Sequence, residues 1–271
     1  MNNLFAISNI SWSGESDDEY LKLISGLGVN GVELAASIIW DEPLDSTYSE
    51  RESYRKKIES YDLKISGLHA LLFSRPDLQL LSKSDERKRV VNYLKGTSDL
   101  CSQLGGEYMV LGSGKNRLLG NLSYKEGFQI AVDILKEIGD YAHSKNVIIT
   151  IESLPPPGCD FIQNLKDALE LVNTINSPGV KLHFDSGAAD MTENITDGNL
   201  PILFNNVFSC QVNDFELLPP GSTESNNHPI WSHYLRQVKY NGWISIEMRR
   251  SENPKHTIPR VIKYVQDTYL N

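Results

Sequence analysis

The sequence has 271 residues, 40 % hydrophobic and 23 % charged, which is ordinary globular composition and suits one large domain or two small ones. Its 26 Lys+Arg against 35 Asp+Glu give a net charge of −9, which repels phosphate backbones and argues against nucleic acid as a general partner. Cys101, Cys159 and Cys210 are odd in number and far apart with no CxxC, and no apolar run reaches the ~18 residues of a membrane span, so a disulfide framework, a thiolate zinc site and a membrane partner are not expected.

The start, MNNLFAISNISW, lacks a basic region ahead of an apolar core, so it does not read as a signal peptide and the expected location is cytoplasmic. LFAIS (4–8) is the first expected strand, followed by the helical pattern DEYLKLISGLG (18–28). GVELA (31–35) and KISGLHA (64–70) read as strands two and three, and SDERKRVVNYLKGTSDLCSQLG (84–105) as a helix. EYMVLGS (107–113), the helix at 124–146, VIITIES (147–153) and the helix at 161–176 continue the alternation. VKLHFD (180–185) and VFSCQVN (207–213) are separated by GAADMTENITDGNLPILFNN, which is expected to hold a long loop and at most one short helix. The helical pattern at 229–242 and the strand WISIEM (243–248) complete the series.

Eight strand–helix alternations argue for a parallel sheet with helical crossovers. Eight units in a chain of 271 residues fit a closed (β/α)8 TIM barrel, one domain over 1–271, better than an open doubly wound sheet. No GxGxxG follows an early strand and no Walker A sequence is present, which weakens nucleotide-binding alternatives.

Side chains alternate along a barrel strand between the interior and the helix layer. The apolar rows Val147/Ile149/Ile151, Val180/Leu182/Phe184, Phe208/Cys210/Val212 and Ile244/Ile246/Met248 are assigned to the helices. That phase turns Glu152, Asp185, Gln211 and Glu247 inward at the C-terminal ends of four consecutive strands, the face on which barrel active sites lie. One such acid has an ordinary structural use as a cap on the following helix. Three carboxylates in one mouth repel one another unless a cation sits among them. An all-oxygen set favours Mg²⁺ or Mn²⁺ over Zn²⁺, with Gln211 as a neutral carbonyl donor; Zn²⁺ and Co²⁺ stay open.

GVELA, ISGLHALLF, IES, LHFDSG, QVND and YNGWISIEM, in this order and spacing, resemble the xylose-isomerase-like TIM-barrel superfamily over nearly the whole chain. The resemblance is to its sugar phosphate isomerase/epimerase group, which includes ketose 3-epimerases and inosose-processing enzymes. The most specific part is the strand-eight pattern with Tyr240, Gly242 and Glu247. The resemblance implies a metal held by Glu152, Asp185, Gln211 and Glu247, with Gln211 replacing the more usual His. It also implies that Glu152 and Glu247 flank a sugar or cyclitol substrate and exchange its proton through an enediolate. Ala188 departs from the group, where many epimerases carry a substrate-contacting His, which weakens assignment as a standard ketose 3-epimerase and leaves the metal site untouched. Members often form dimers or tetramers, so a homo-oligomer is allowed.

The same geometry can expel water from a β-hydroxy ketone, so a dehydratase is an alternative; a barrel that has lost catalysis and only binds a ligand is another. A related endonuclease activity is disfavoured, because it needs additional His ligands and a basic groove, and this acidic chain has six His in all. Further substrate contacts are expected from His69 and Glu33, at the ends of strands three and two. Lys115 and Arg117 in GSGKNR, with Arg249, are candidates to hold a carboxylate or phosphate. Trp12 and Trp40 are candidate faces for a sugar ring.

Overall fold

The computed structural model describes residues 4–82, 85–196, 198–223 and 227–270. Eight parallel strands close into a barrel in chain order: β1 (Leu4–Ser8), β2 (Gly31–Ala35), β3 (Lys64–His69), β4 (Tyr108–Leu111), β5 (Ile148–Ile151), β6 (Val180–Asp185), β7 (Val207–Val212) and β8 (Trp243–Ile246). Closure comes from β1 pairing with β8, with Phe5 opposite Ile244 and Ile7 opposite Ile246. The fold is a TIM barrel, and among the described residues no helix is long and apolar enough to cross a membrane.

The helices are α1 (Asp17–Ser25), α2 (Tyr48–Glu59), α3 (Asp85–Leu104), α4 (Tyr124–Ser144), α5 (Leu165–Ile175), α6 (Ser186–Thr192), α7 (Leu200–Phe204), α8 (His228–Gln237) and α9 (Pro254–Val265). They cover the outward strand rows. Val32, Leu34, Ile149, Ile151, Leu182, Phe184, Cys210, Val212, Ile244 and Ile246 share one buried core with helix residues such as Ile24, Ile58, Leu100, Ile134, Leu171 and Val261. Each such side chain taken wholly from water contributes about 1.5–3 kcal/mol, so this layer fixes the phase of every strand.

Five strands are shorter than the sequence pattern implied, β3 and β7 by a single residue and the other three by more. β4, β5 and β8 stop at Leu111, Ile151 and Ile246, before Gly112, Glu152 and Glu247. The acids therefore stand just past the last ladder residue, at the mouth. The segment between β6 and β7 holds two short helices, α6 and α7, rather than one at most.

Candidate active site

The barrel interior is graded from apolar to charged. Ala6, Tyr108, Val110 and Trp243 form a separate buried cluster around Leu4, Ile148 and Phe208. Gly31 is required there, since a Cβ would press on the Trp243 ring at 2.9 Å. A polar layer contains Glu33, fully buried, whose Oε1 accepts from Tyr108 Oη at 2.7 Å. Its Oε2 accepts from Gln211 Nε2 at 2.8 Å and from Ser245 Oγ at 2.9 Å. Gln211 Oε1 lies 2.9 Å from His183 Nε2, and His183 Nδ1 lies 2.7 Å from Ser209 Oγ. Burial pushes the His183 pKa down to about 3, so the ring is neutral, and Nε2–H donating to Gln211 with Nδ1 accepting from Ser209 satisfies it.

The acids of the mouth follow. Glu152, just past β5, is 9 % exposed, and its carboxylate lies so close over Gly112 that a Cβ at that position would overlap Oε2. Asp185 ends β6; Oδ1 accepts from Ala188 N at 2.7 Å, capping α6, and Oδ2 accepts from Asn213 Nδ2 at 2.5 Å. The capping use of a strand-end acid is thus real here, with the second oxygen taken by Asn213. Glu247 Oε1 lies 2.8 Å from His69 Nδ1, a short contact poorly aligned with the ring N–H. His69 Nε2 lies 2.6 Å from Ser8 Oγ. Burial disfavours the His69 cation, but the carboxylates of Glu247 and Glu33 outweigh it and raise the pKa.

The three acids sense one another. Burial, then the charges of Asp185 and Glu247, push Glu152 well above the carboxylate range, with Arg117 offsetting part of this. Burial and Glu247 push Asp185 up to about 7, against the hydrogen bonds from Ala188, Asn213 and Gly187. Acids in this state hold protons or a cation at neutral pH. The donor chemistry therefore fits a hard divalent ion among Glu152, Asp185 and Glu247. As arranged, no group of three His, Cys, Asp or Glu side chains among the described residues is drawn together tightly enough to hold one, because Asp185 and Glu247 are tied to their own neighbours and Glu152 is seated over Gly112.

The other expected residues divide. Gln211 is 1 % exposed with both ends of its amide engaged inside the barrel, so as placed it supports the mouth from within rather than offering a free carbonyl. Glu33 is likewise saturated by barrel donors and not presented to a ligand. Arg117 is buried, whereas Lys115 and Arg249 are exposed. Trp12 is not a ring platform: it is 1 % exposed, stacked on Tyr20 at 5.7 Å, and donates Nε1–H to Asp17. Trp40 packs edge-on to Tyr54 and lines an open groove with Ser49, Glu50, Ser53 and Lys57, to which no strand-end acid contributes.

Two features escaped the sequence reading. Asn213 orients Asp185 and is itself tied to Ser186, whose Oγ donates to Asn213 O and accepts from Asn213 N; the polar ending QVND was the visible signal. Asp214, buried beside it, accepts from Gly221 N, Ser222 N and Thr223 N and lies 2.7 Å from His228 Nε2, whose Nδ1 meets Tyr269 Oη at 2.7 Å. This chain pins the segment after β7 to α8 and the C-terminal turn. Its partners lie 7 to 55 residues from Asp214, beyond any local motif.

A family model for the xylose isomerase-like TIM barrel matches residues 21–268. An inosose isomerase from Bacillus velezensis is 23% identical over 229 residues, 77% of this chain and 75% of that protein. D-psicose 3-epimerase, solved in the presence of D-fructose, superimposes with a TM-score of 0.80 at 12% identity over 98% of this chain and 99% of that one. The apo form of a 3-keto-D-glucoside 4-epimerase from E. coli gives a TM-score of 0.80 at 16% identity, again over 98% and 99%. At these identities the structural likeness is one of fold.

Proposed function

The chain belongs to the xylose isomerase-like TIM-barrel family, and we propose that it is a divalent-metal-dependent isomerase or epimerase of a sugar or cyclitol. The observation that carries this reading is the placement of Glu152, Asp185 and Glu247 at the C-terminal ends of β5, β6 and β8, where burial and one another's charge raise the pKa of Glu152 and Asp185. Likeness to an inosose isomerase and to two sugar epimerases supports the substrate class.

Glu152, Asp185 and Glu247 are the residues that would hold the ion, with Mn²⁺ or Mg²⁺ favoured by their oxygen donors. When bound, such an ion supplies positive charge to the substrate oxygens beside the carbon that exchanges its proton. The protein's own part is acid–base work. A proton next to a carbonyl is removed by a carboxylate, the part assigned to Glu152, whose charge the ion would stabilise against the burial and neighbouring acids that raise its pKa. The resulting enediolate is reprotonated from the other side by Glu247, or at the neighbouring carbon by the same group. Two faces give epimerisation; one face and two carbons give isomerisation. His69, fixed by Ser8, holds Glu247 against β3 and shares its charge.

Calorimetry of Mn²⁺ and Mg²⁺ on metal-stripped protein tests the site, comparing wild type with Glu152→Gln. Tight binding in the wild type that weakens at least tenfold in the variant is expected. Failure of the wild type to bind Mn²⁺, Mg²⁺, Zn²⁺ and Co²⁺ would remove the metal-enzyme reading.

A further inference from the structure

Resting on the proposed active site, we infer that Arg117 is a built oxyanion seat that receives a carboxylate of the substrate, so that the sugar or cyclitol acted on is an acid. Arg117 follows the short turn Gly114–Asn116 after β4 and is 2 % exposed. Its Nη1 donates to Leu111 O at 3.3 Å, at the end of β4. Its Nε and Nη2 are buried and have no hydrogen-bond partner. These two nitrogens form one edge of the guanidinium, with parallel N–H bonds, and that edge is the one a carboxylate fills with two hydrogen bonds. A charged donor pair left unpaired away from water is costly, so a fold that keeps one has a reason for it.

The segment is held in place rather than loosely draped. Asn116 Nδ2 donates to Arg75 O at 2.8 Å and to Leu78 O at 2.7 Å, and its carbonyl accepts from Leu80 N. The protein's own acids do not fill the edge. Arg117 acts on Glu152 through space, yet the Glu152 carboxylate is seated over Gly112. Asp185 is committed to Ala188 and Asn213, and Glu247 to His69. Three carboxylates stand in the mouth and none closes on the guanidinium, which leaves its edge to an incoming one. Phosphate shares the oxyanion chemistry and can take the same paired edge, so phosphorylated and carboxylated probes are set against each other in the test.

The test uses the full chain with Mn²⁺ present, and compares wild type, Arg117→Met and Arg117→Lys by thermal shift and calorimetry. The probes are D-glucuronate and D-galacturonate, their neutral parent sugars, glucose 6-phosphate and inorganic phosphate. Wild type is expected to bind the uronates at least tenfold more tightly than the neutral sugars, and Arg117→Met to lose that preference. Arg117→Lys, which lacks the paired edge, should recover less than half of it on a logarithmic scale. With no probe added, Arg117→Met should melt at or above the wild-type temperature, because it removes an unpaired charge. A lower melting temperature would mark Arg117 as a structural group satisfied by buried water and overturn the inference. So would a preference for the phosphorylated sugar, equal binding of acid and neutral sugars, or a uronate preference that survives in Arg117→Met. Equal binding would leave the active-site reading standing; absence of all sugar binding would take that reading down as well.

Discussion

Replacing Glu152 by Gln should stabilise the metal-free protein at alkaline pH, the opposite of the usual effect of altering a buried residue. Glu152 and Asp185 have carboxyl pKa values raised in the folded state, Asp185 from 3.8 to about 7. A group of this kind contributes its stability below its unfolded pKa and loses it as pH rises through the folded value. At about 1.4 kcal/mol per pKa unit, the Asp185 shift alone sets a ceiling of ~4 kcal/mol lost between about pH 4 and pH 7. Glu152→Gln removes one of the three charges and relaxes the other two. The expected gain is ~2 kcal/mol at about pH 8 and close to zero at about pH 5, where the cluster already holds protons. Urea unfolding of chelator-treated protein at both pH values measures this. Added Mn²⁺ should restore the wild type at the higher pH and leave Glu152→Gln little changed. Wild-type stability that rises from the lower to the higher pH, or a variant less stable at the higher pH, would refute the coupling.

Gly112→Ala places a Cβ where Glu152 Oε2 lies, so Mn²⁺ affinity should fall at least tenfold with the circular dichroism spectrum unchanged; an unaltered Kd would show that Glu152 does not work from that position. Gln211→Met leaves His183 and Glu33 each short of a partner and should cost ~3 kcal/mol of stability, at about 1–3 kcal/mol per stranded buried group. Its Mn²⁺ affinity should change less than tenfold, whereas a hundredfold loss would restore Gln211 as a ligand. Burial alone would raise the Asp214 pKa, but hydrogen bonds from His228, Gly221 and Thr223 outweigh it and bring it down to about 2. The stability this confers is present above the unfolded carboxylate pKa and lost as pH falls through about 2. Asp214→Asn should therefore cost ~2 kcal/mol near neutrality and progressively less in acid; a cost that does not shrink in acid would place the role of Asp214 in packing rather than charge.

The barrel was legible because its outward rows are largely apolar, although β7 departs from the expected row: Phe208 packs on the interior cluster while Val207 joins Cys210 and Val212 in the helix-side core. Val180/Leu182/Phe184 leaves one phase for Asp185, and a slip of one residue would drive the apolar row into the polar interior. The same rows located Glu152 and Glu247 at the mouth, where the structure brings them into electrostatic contact. Periodicity failed for α2, whose sequence YSERESYRKKIE buries only Arg51 and Ile58 and is marked instead by the capping box of Thr47 and Glu50. It failed again for α9, where Pro259 sits inside the helix while Ile258, Val261, Ile262 and Val265 carry the buried face. Register tells which side of a strand a residue occupies, not what it meets there. Glu33 and Gln211 face inward as their strands require, yet they find each other across the barrel, from strands 178 residues apart. Trp12 follows β1 as a sugar platform would, but Tyr20 and Asp17 take it into the helix layer.

Solvent-deuterium uptake into a substrate carbon addresses the central claim most directly. Incubation in D₂O with Mn²⁺ and a panel of ketoses, inososes and their carboxylated analogues, followed by NMR, reads proton transfer without presuming the product. Deuterium appearing at a carbon next to the carbonyl, abolished by chelator and by Glu247→Gln, is the predicted result. Tight binding of a panel member with its carbon-bound protons unexchanged would contradict the account and leave a barrel that binds its ligand without chemistry.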